Sequence, residues 1–209
     1  EVIDNIPIVT MRMHRIKDKL VNNIRKDSNS TMNRWILNRE FRATYRDELL
    51  ASEELLEGTW IKQIGQGEPI LISISDNIAR DAGLKVGDEL VFNIQGVLME
   101  TAIGSIRKVN WGSMQLNFSI LFPAGVLENA PQFNVLTTYV PDDNSSADLQ
   151  RDLVKKFPNI SILDIRQIFT IVEDILNKIS WIINFMAFFS IFTGIIVLIG
   201  SVRNSKYQR

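Results

Sequence analysis

His14 is the chain's single histidine, and there is no cysteine. Those two counts remove disulfides, thiolate zinc sites, histidine clusters and a cysteine nucleophile from the chemistry available. His14 itself sits in an alternating stretch beside Arg12 and Arg15, which reads as a strand position and not as a metal ligand. Carboxylates come next. Asp47, Glu48, Glu53, Glu54 and Glu57 crowd one short stretch and read as a solvated acidic loop, not as a catalytic or metal-binding cluster. No phosphate-cradling P-loop, dinucleotide fingerprint, nucleophile elbow or zinc-protease helix occurs. The expectation is a non-enzymatic chain with no catalytic residue, no metal and no cofactor. One aromatic group has a binding reading: Trp111, Phe118 and Phe122 are either core filling or a candidate partner contact.

Charge narrows the partners. With 23 Lys plus Arg against 24 Asp plus Glu, no overall field recruits nucleic acid. The 209 residues, 45% of them hydrophobic, suffice for one or two domains with real cores.

Residues 179–202 carry no charge between Lys178 and Arg203, which is long enough to cross a bilayer as a helix. Trp181 and Tyr207 suit the two interfacial belts. Arg203, Lys206 and Arg209 follow without an acidic residue, so the positive-inside rule places the C-terminus in the cytoplasm and residues before about 179 outside it. Ala187, Ser190, Gly194 and Ser201 fall near one face, an arrangement that lets membrane helices approach closely. No signal-peptide pattern opens the chain, so a segment of a longer protein, exported by something upstream, is expected.

Asp164, followed three residues later by Gln167, predicts a helix start at Ile165. Ile165, Ile168, Phe169, Val172, Ile175 and Leu176 then recur at helical spacing opposite a polar face, so residues 165–178 form an amphipathic stalk. With no Gly or Pro at the join, stalk and span are expected to be one continuous helix. The apolar stripe packs either on the domain's own sheet or against a partner stalk.

The rest predicts an α+β body. Strands are expected over residues 6–15, 41–46, 69–74, 114–122, 134–140 and 160–163. Residues 89–95 and 97–108 predict a hairpin broken at Gly96. Residues 17–30 read as a solvated insertion or short helix, and helices are expected between Ser75 and Gly83 and over 147–157. A β-rich middle, 69–132, is read as inserted between two flanks, 1–68 and 133–164.

Three stretches then resemble a known family: ISISDNIARDAGLKVGDELVFNIQG at 72–96, NWGSMQLNFSILFPAGVLENAP at 110–131 and FPNISILDIRQI at 157–168. They are similar to the permease subunits of MacB/FtsX/LolC-type ABC transporters, and most of all to the second periplasmic domain of the large two-repeat permeases of the YbbP type. The helical exit into SVRNSKYQR at 201–209, the cytoplasmic start, is similar too. The resemblance implies a periplasmic domain in two parts, a βαβ-like part from both chain ends and the inserted β-rich part. It implies a bacterial inner-membrane location and a separate cytoplasmic ABC ATPase whose hydrolysis is coupled to work on a lipid, lipoprotein or periplasmic protein partner. A permease dimer or two-repeat pseudo-dimer is implied as well. The alternative is a membrane-anchored regulator that activates a periplasmic hydrolase and transports nothing.

Overall fold

The structure is a computed structural model and describes residues 2–28, 30, 32–65, 67–113 and 115–207; side chains are described for these except at 2, 3, 167 and 200–207. Two compact units divide the chain, Glu1–Tyr139 and Val140–Arg209.

The first unit is built on β1 (Val2–Ile16), whose alternation of Val9, Met11 and Met13 with Thr10, Arg12 and His14 puts one face into the core. Around it come β2 (Lys19–Leu20), α1 (Val21–Lys26), α2 (Arg34–Asn38), β3 (Phe41–Tyr45), β4 (Glu53–Gly58) and β5 (Leu71–Ser75). The unit continues with α3 (Asp76–Ala82), β6 (Glu89–Ile94), β7 (Val97–Val109), β8 (Ile120–Phe122) and β9 (Phe133–Thr138). Six of the strands close on themselves. β1 pairs antiparallel with β3, β3 parallel with β8, β8 antiparallel with β5, β5 parallel with β7, β7 antiparallel with β6, and β6 antiparallel with β1. Closure of this kind leaves an interior that side chains fill. Met11, Phe41, Ile72, Ile74, Leu90, Phe92, Ile120 and Phe122 fill it, with Phe92 and Phe122 edge to face at 6.0 Å. Val21 and Ile24 of α1, Ile36 and Leu37 of α2, and Ile78 of α3 join the same core.

The segment 69–132 therefore supplies β5 to β8 to the barrel, while β1 and β3 come from before it. The first half of β1 lies beyond the ring, where residues 2–8 pair with β9 and bring distant parts of the chain together. β4 hangs on the outside of β7 through a ladder with a bulge between Leu55 and Glu57. Among the described residues β4 has no second strand neighbour.

Several local expectations hold for identifiable reasons. The β6–β7 hairpin turns at Gln95 (φ 50°) and Gly96 (φ 103°), the left-handed pair a two-residue turn needs, and Asn93 Oδ1 accepts from the Gly96 N–H at 2.8 Å. α3 stops at Gly83, whose φ of 62° a side chain would strain.

Other expectations change. Only residues 120–122 of the strand expected over 114–122 form a ladder. The preceding loop satisfies its polar groups through side chains, Asn117 Nδ2 donating to the Asn110 carbonyl at 3.0 Å and to Ser113 Oγ at 2.8 Å. Residues 160–163 are not a strand; the Ile160 N–H turns back to the Phe157 carbonyl instead. Of the expected acidic loop, residues 53–58 are the strand β4 while residues 47–52 remain a loop, and the short helix α2 carried no recognised signal.

In the second unit α4 (Asp143–Lys156) begins earlier than expected because Asp142 caps it, accepting from the Ser145 N–H at 2.9 Å. α5 (Ile165–Tyr207) is one helix of 43 residues. Stalk and span are continuous, as the sequence predicts.

Candidate functional site

One member of the acidic stretch is not solvated as expected. Glu53, at the start of β4, points inward with its side chain out of solvent, and Arg107 of β7 meets it there, also fully buried, with Nε 3.1 Å from Glu53 Oε1. Arg46, the residue after β3, reaches the same oxygen at 2.6 Å. The other oxygen of Glu53 accepts from the Leu50 N–H at 3.1 Å. Arg107 spends its remaining donors on main-chain carbonyls, those of Ser73 at 2.8 Å and Phe118 at 2.5 Å. Burial pushes the Arg107 guanidinium down to about 10, Glu53 raises it again, and Arg46 adds to the depression. Burial lowers Arg46 too, against the pull of Glu53. Arg46 Nε has no partner among the described residues, which alone do not fully satisfy the cluster. Its chemistry is structural: the one carboxylate is shared by two guanidiniums, which leaves the cluster a net positive charge, and it ties together β3, β4, β5, β7 and the loop before β8. Asp47, Glu48, Glu54 and Glu57 do not join it. Among the described residues no group of three His, Asp or Glu could hold a metal.

The three aromatics part company. Phe118 and Phe122 are buried, Phe122 inside the barrel, whereas Trp111 is 51% exposed beside a groove that Arg42 and Leu116 also line. Of the three, only Trp111 offers its ring to solvent.

In the second unit Asp164 joins α4 to α5. Its carboxylate accepts from the Arg166 N–H at 3.1 Å, capping α5, and from Ser146 Oγ of α4 at 2.7 Å. Arg166 closes on it at 3.0 Å and reaches Asp143 of α4 at 3.3 Å. The hydrogen bonds from Arg166, then from Ser146, hold the Asp164 carboxyl down at about 2. Gln167, expected as a capping-box partner, lies outside the residues whose side chains are described.

Along α5 the stalk residues Ile165, Ile168, Phe169, Val172, Ile175 and Leu176 are all about half exposed. Ile168–Ile199 is long and apolar enough to cross a membrane, and none of its apolar window is buried within the described residues. The only Thr hydroxyls of this stretch are satisfied within the helix, Thr170 on the Arg166 carbonyl at 3.1 Å and Thr193 on that of Phe189 at 2.8 Å. Ala187, Ser190 and Gly194 lie on the span; Ser201 falls outside the residues whose side chains are described.

A folded β-rich body followed in sequence by an exposed apolar helix of this length has the plan of a membrane protein with a domain outside the bilayer. The chain is similar to the uncharacterized ABC transporter permease YbbP of Escherichia coli (strain K12), with 26% identity over 203 residues, 97% of this chain and 23% of the relative. The chain thus spans about a quarter of the length of the curated relative it matches. The resemblance to ABC transporter permeases read from the sequence is borne out by this similarity. No protein-family model matches the chain, and no solved structure does.

Proposed function

We propose that this chain is the extracytoplasmic domain and adjoining membrane helix of an ABC transporter permease subunit of the MacB/FtsX/LolC kind. The observation that carries the reading is the similarity to a permease along 97% of the chain. In this proposal a separate cytoplasmic ATPase supplies the energy, and residues before about 179 lie on the periplasmic side of a bacterial inner membrane. α5 carries displacement of its cytoplasmic end to the outside, where the domain works on a lipid, lipoprotein or protein partner. Its stalk, 165–178, and its span, 179–202, act as one rod. The small face at Ala187, Ser190, Gly194 and Ser201 packs on another membrane helix of the same permease or of a second copy, and Trp111 is the partner contact on the domain.

Continuity of α5 supports the rod. A helix of 43 residues at about 1.5 Å each is roughly 65 Å long, more than twice a hydrocarbon core of about 30 Å. Thr170 is the place to break it. Thr170→Pro removes a main-chain hydrogen bond and adds a clash, at a cost of about 3 kcal/mol, and kinks the stalk without touching the uncharged run. Expressed with its ATPase, that variant is expected to insert, bind the ATPase and support basal hydrolysis while losing biological output. Thr170→Ala is expected to be nearly silent. Full output from a stalk demonstrably kinked by proline would leave only a passive tether.

A further inference from the structure

We propose that a groove on the first unit, between β1, α1, the α2–β3 turn and the end of β6, binds a phosphate ester carried on a small hydroxyl-bearing body. The groove encloses about 410 Å³ and is lined by Arg12, Arg25 and Arg39 against a single carboxylate, Glu40. Three guanidiniums and one carboxylate leave two positive charges in a chain whose net charge is −1, so the excess is local.

Two of the cations are held in place before any ligand arrives. Trp35 Nε1 donates to Asp81 at 2.7 Å, which fixes the indole, and the guanidinium of Arg39 lies 5.7 Å from that ring's centroid. Arg39 has no carboxylate partner among the described residues. Arg25 is anchored by its Nη2 on the Leu37 carbonyl at 2.5 Å, and its other donors have no partner among the described residues. Arg12 is the contested one, 3.4 Å from Glu40 in an exposed pair. Guanidinium forks match phosphate oxygens two at a time, better than a point charge does.

The remainder of the lining chooses the body of the ligand. The volume falls in the range of small-molecule sites and is far larger than a bare anion needs. The carboxamides of Asn22, Asn38, Asn93 and Gln95 face it, together with Thr10. Those of Asn22 and Asn38 have no partner among the described residues, so they are free to bond hydroxyls. A phosphorylated sugar or glycerol has this chemistry, whether free or as the headgroup of a lipid.

The inference stands on the first unit alone and does not depend on the permease reading. Its test is calorimetric titration of the full chain, held in phosphatidylcholine nanodiscs, with glycerol 3-phosphate, glucose 1-phosphate, unphosphorylated glucose and inorganic phosphate. Saturable binding of the esters is expected, weaker for inorganic phosphate and absent for glucose. Arg39→Gln should weaken it about tenfold, the worth of one charge-assisted contact. Glu40→Gln, which frees Arg12, should tighten it. Arg80→Gln, on the exposed face of α3, should leave it unchanged. All three positions are exposed, and unaltered thermal unfolding verifies that the variants fold. Replacing part of the phosphatidylcholine by phosphatidylglycerol separates the sources, because a lipid headgroup in the groove would compete with the free esters. Absence of saturable ester binding, equal binding of glucose, or equal loss in Arg39→Gln and Arg80→Gln would overturn the proposal.

Discussion

Glu53 and Arg107 meet 3.1 Å apart, from strands far apart in the chain, with neither side chain touching water. Removing the carboxylate charge while keeping its shape leaves two guanidiniums buried without a counter-ion. Glu53→Gln is therefore expected to destabilise the first unit by about 3 kcal/mol, within the range for breaking a buried pair. Equilibrium urea unfolding followed by tryptophan fluorescence reads this directly. A loss below about 1 kcal/mol would mean that water reaches the cluster.

Asp164 makes the second unit sensitive to acid. Its carboxyl is held at about 2, below the roughly 3.9 of an unfolded aspartate, so its contribution to stability is complete above about pH 4. It is lost as pH falls through about 2. Asp142, lowered by its bonds from Ser145, adds to the same trend. Carbon-detected NMR titration is expected to place the Asp164 carboxyl near pH 2 and to move it upward in Ser146→Ala. No movement would assign the depression to Arg166 alone.

The absence of cysteine makes topology testable without background. Cysteines introduced at Asp174 and Ser205 are expected to react with an impermeant thiol reagent from opposite sides of the membrane. Labelling of both from outside would mean that the assigned topology, with α5 crossing between them, is wrong.

The barrel makes a claim about fragments. Residues 69–132 contain four of its six strands, and β1 and β3 supply the other two. Expressed alone, residues 1–139 are expected to give dispersed amide resonances. Residues 69–132 are expected to give broad ones, since β6 and β8 would each lose a ladder. Dispersed spectra from the shorter fragment would show instead that the inserted segment folds by itself.

What the sequence made legible was local. The start of α5 at Ile165 followed from Asp164, its unbroken course from the lack of Gly or Pro in the join, and the β6–β7 turn from Gly96. Barrel closure was not legible, because the parallel pairs β3–β8 and β5–β7 join segments that no periodicity links. Glu53 was hidden by its neighbours: amid Asp47, Glu48, Glu54 and Glu57 it looked solvated, and one of its partners lies 54 residues away. Arg46, seven residues before it, was the one available clue. The arginine groove was scattered over four elements, so only the fold brings it together.

β4 has a consequence for life at high protein concentration. A closed ring offers no free backbone edge, but the strand hung on its outside reopens one, and exposed edges template pairing between molecules. Here the exposed positions of that strand include Glu54 and Glu57, and its ladder is kinked by the bulge at Leu55 and Glu57. A second molecule docking strand to strand would have to bring like charges together along a distorted edge. The glutamates that take no part in the buried cluster thus set a charge cost on such pairing, against the exposed apolar side chains of Leu55 and Leu56 beside them.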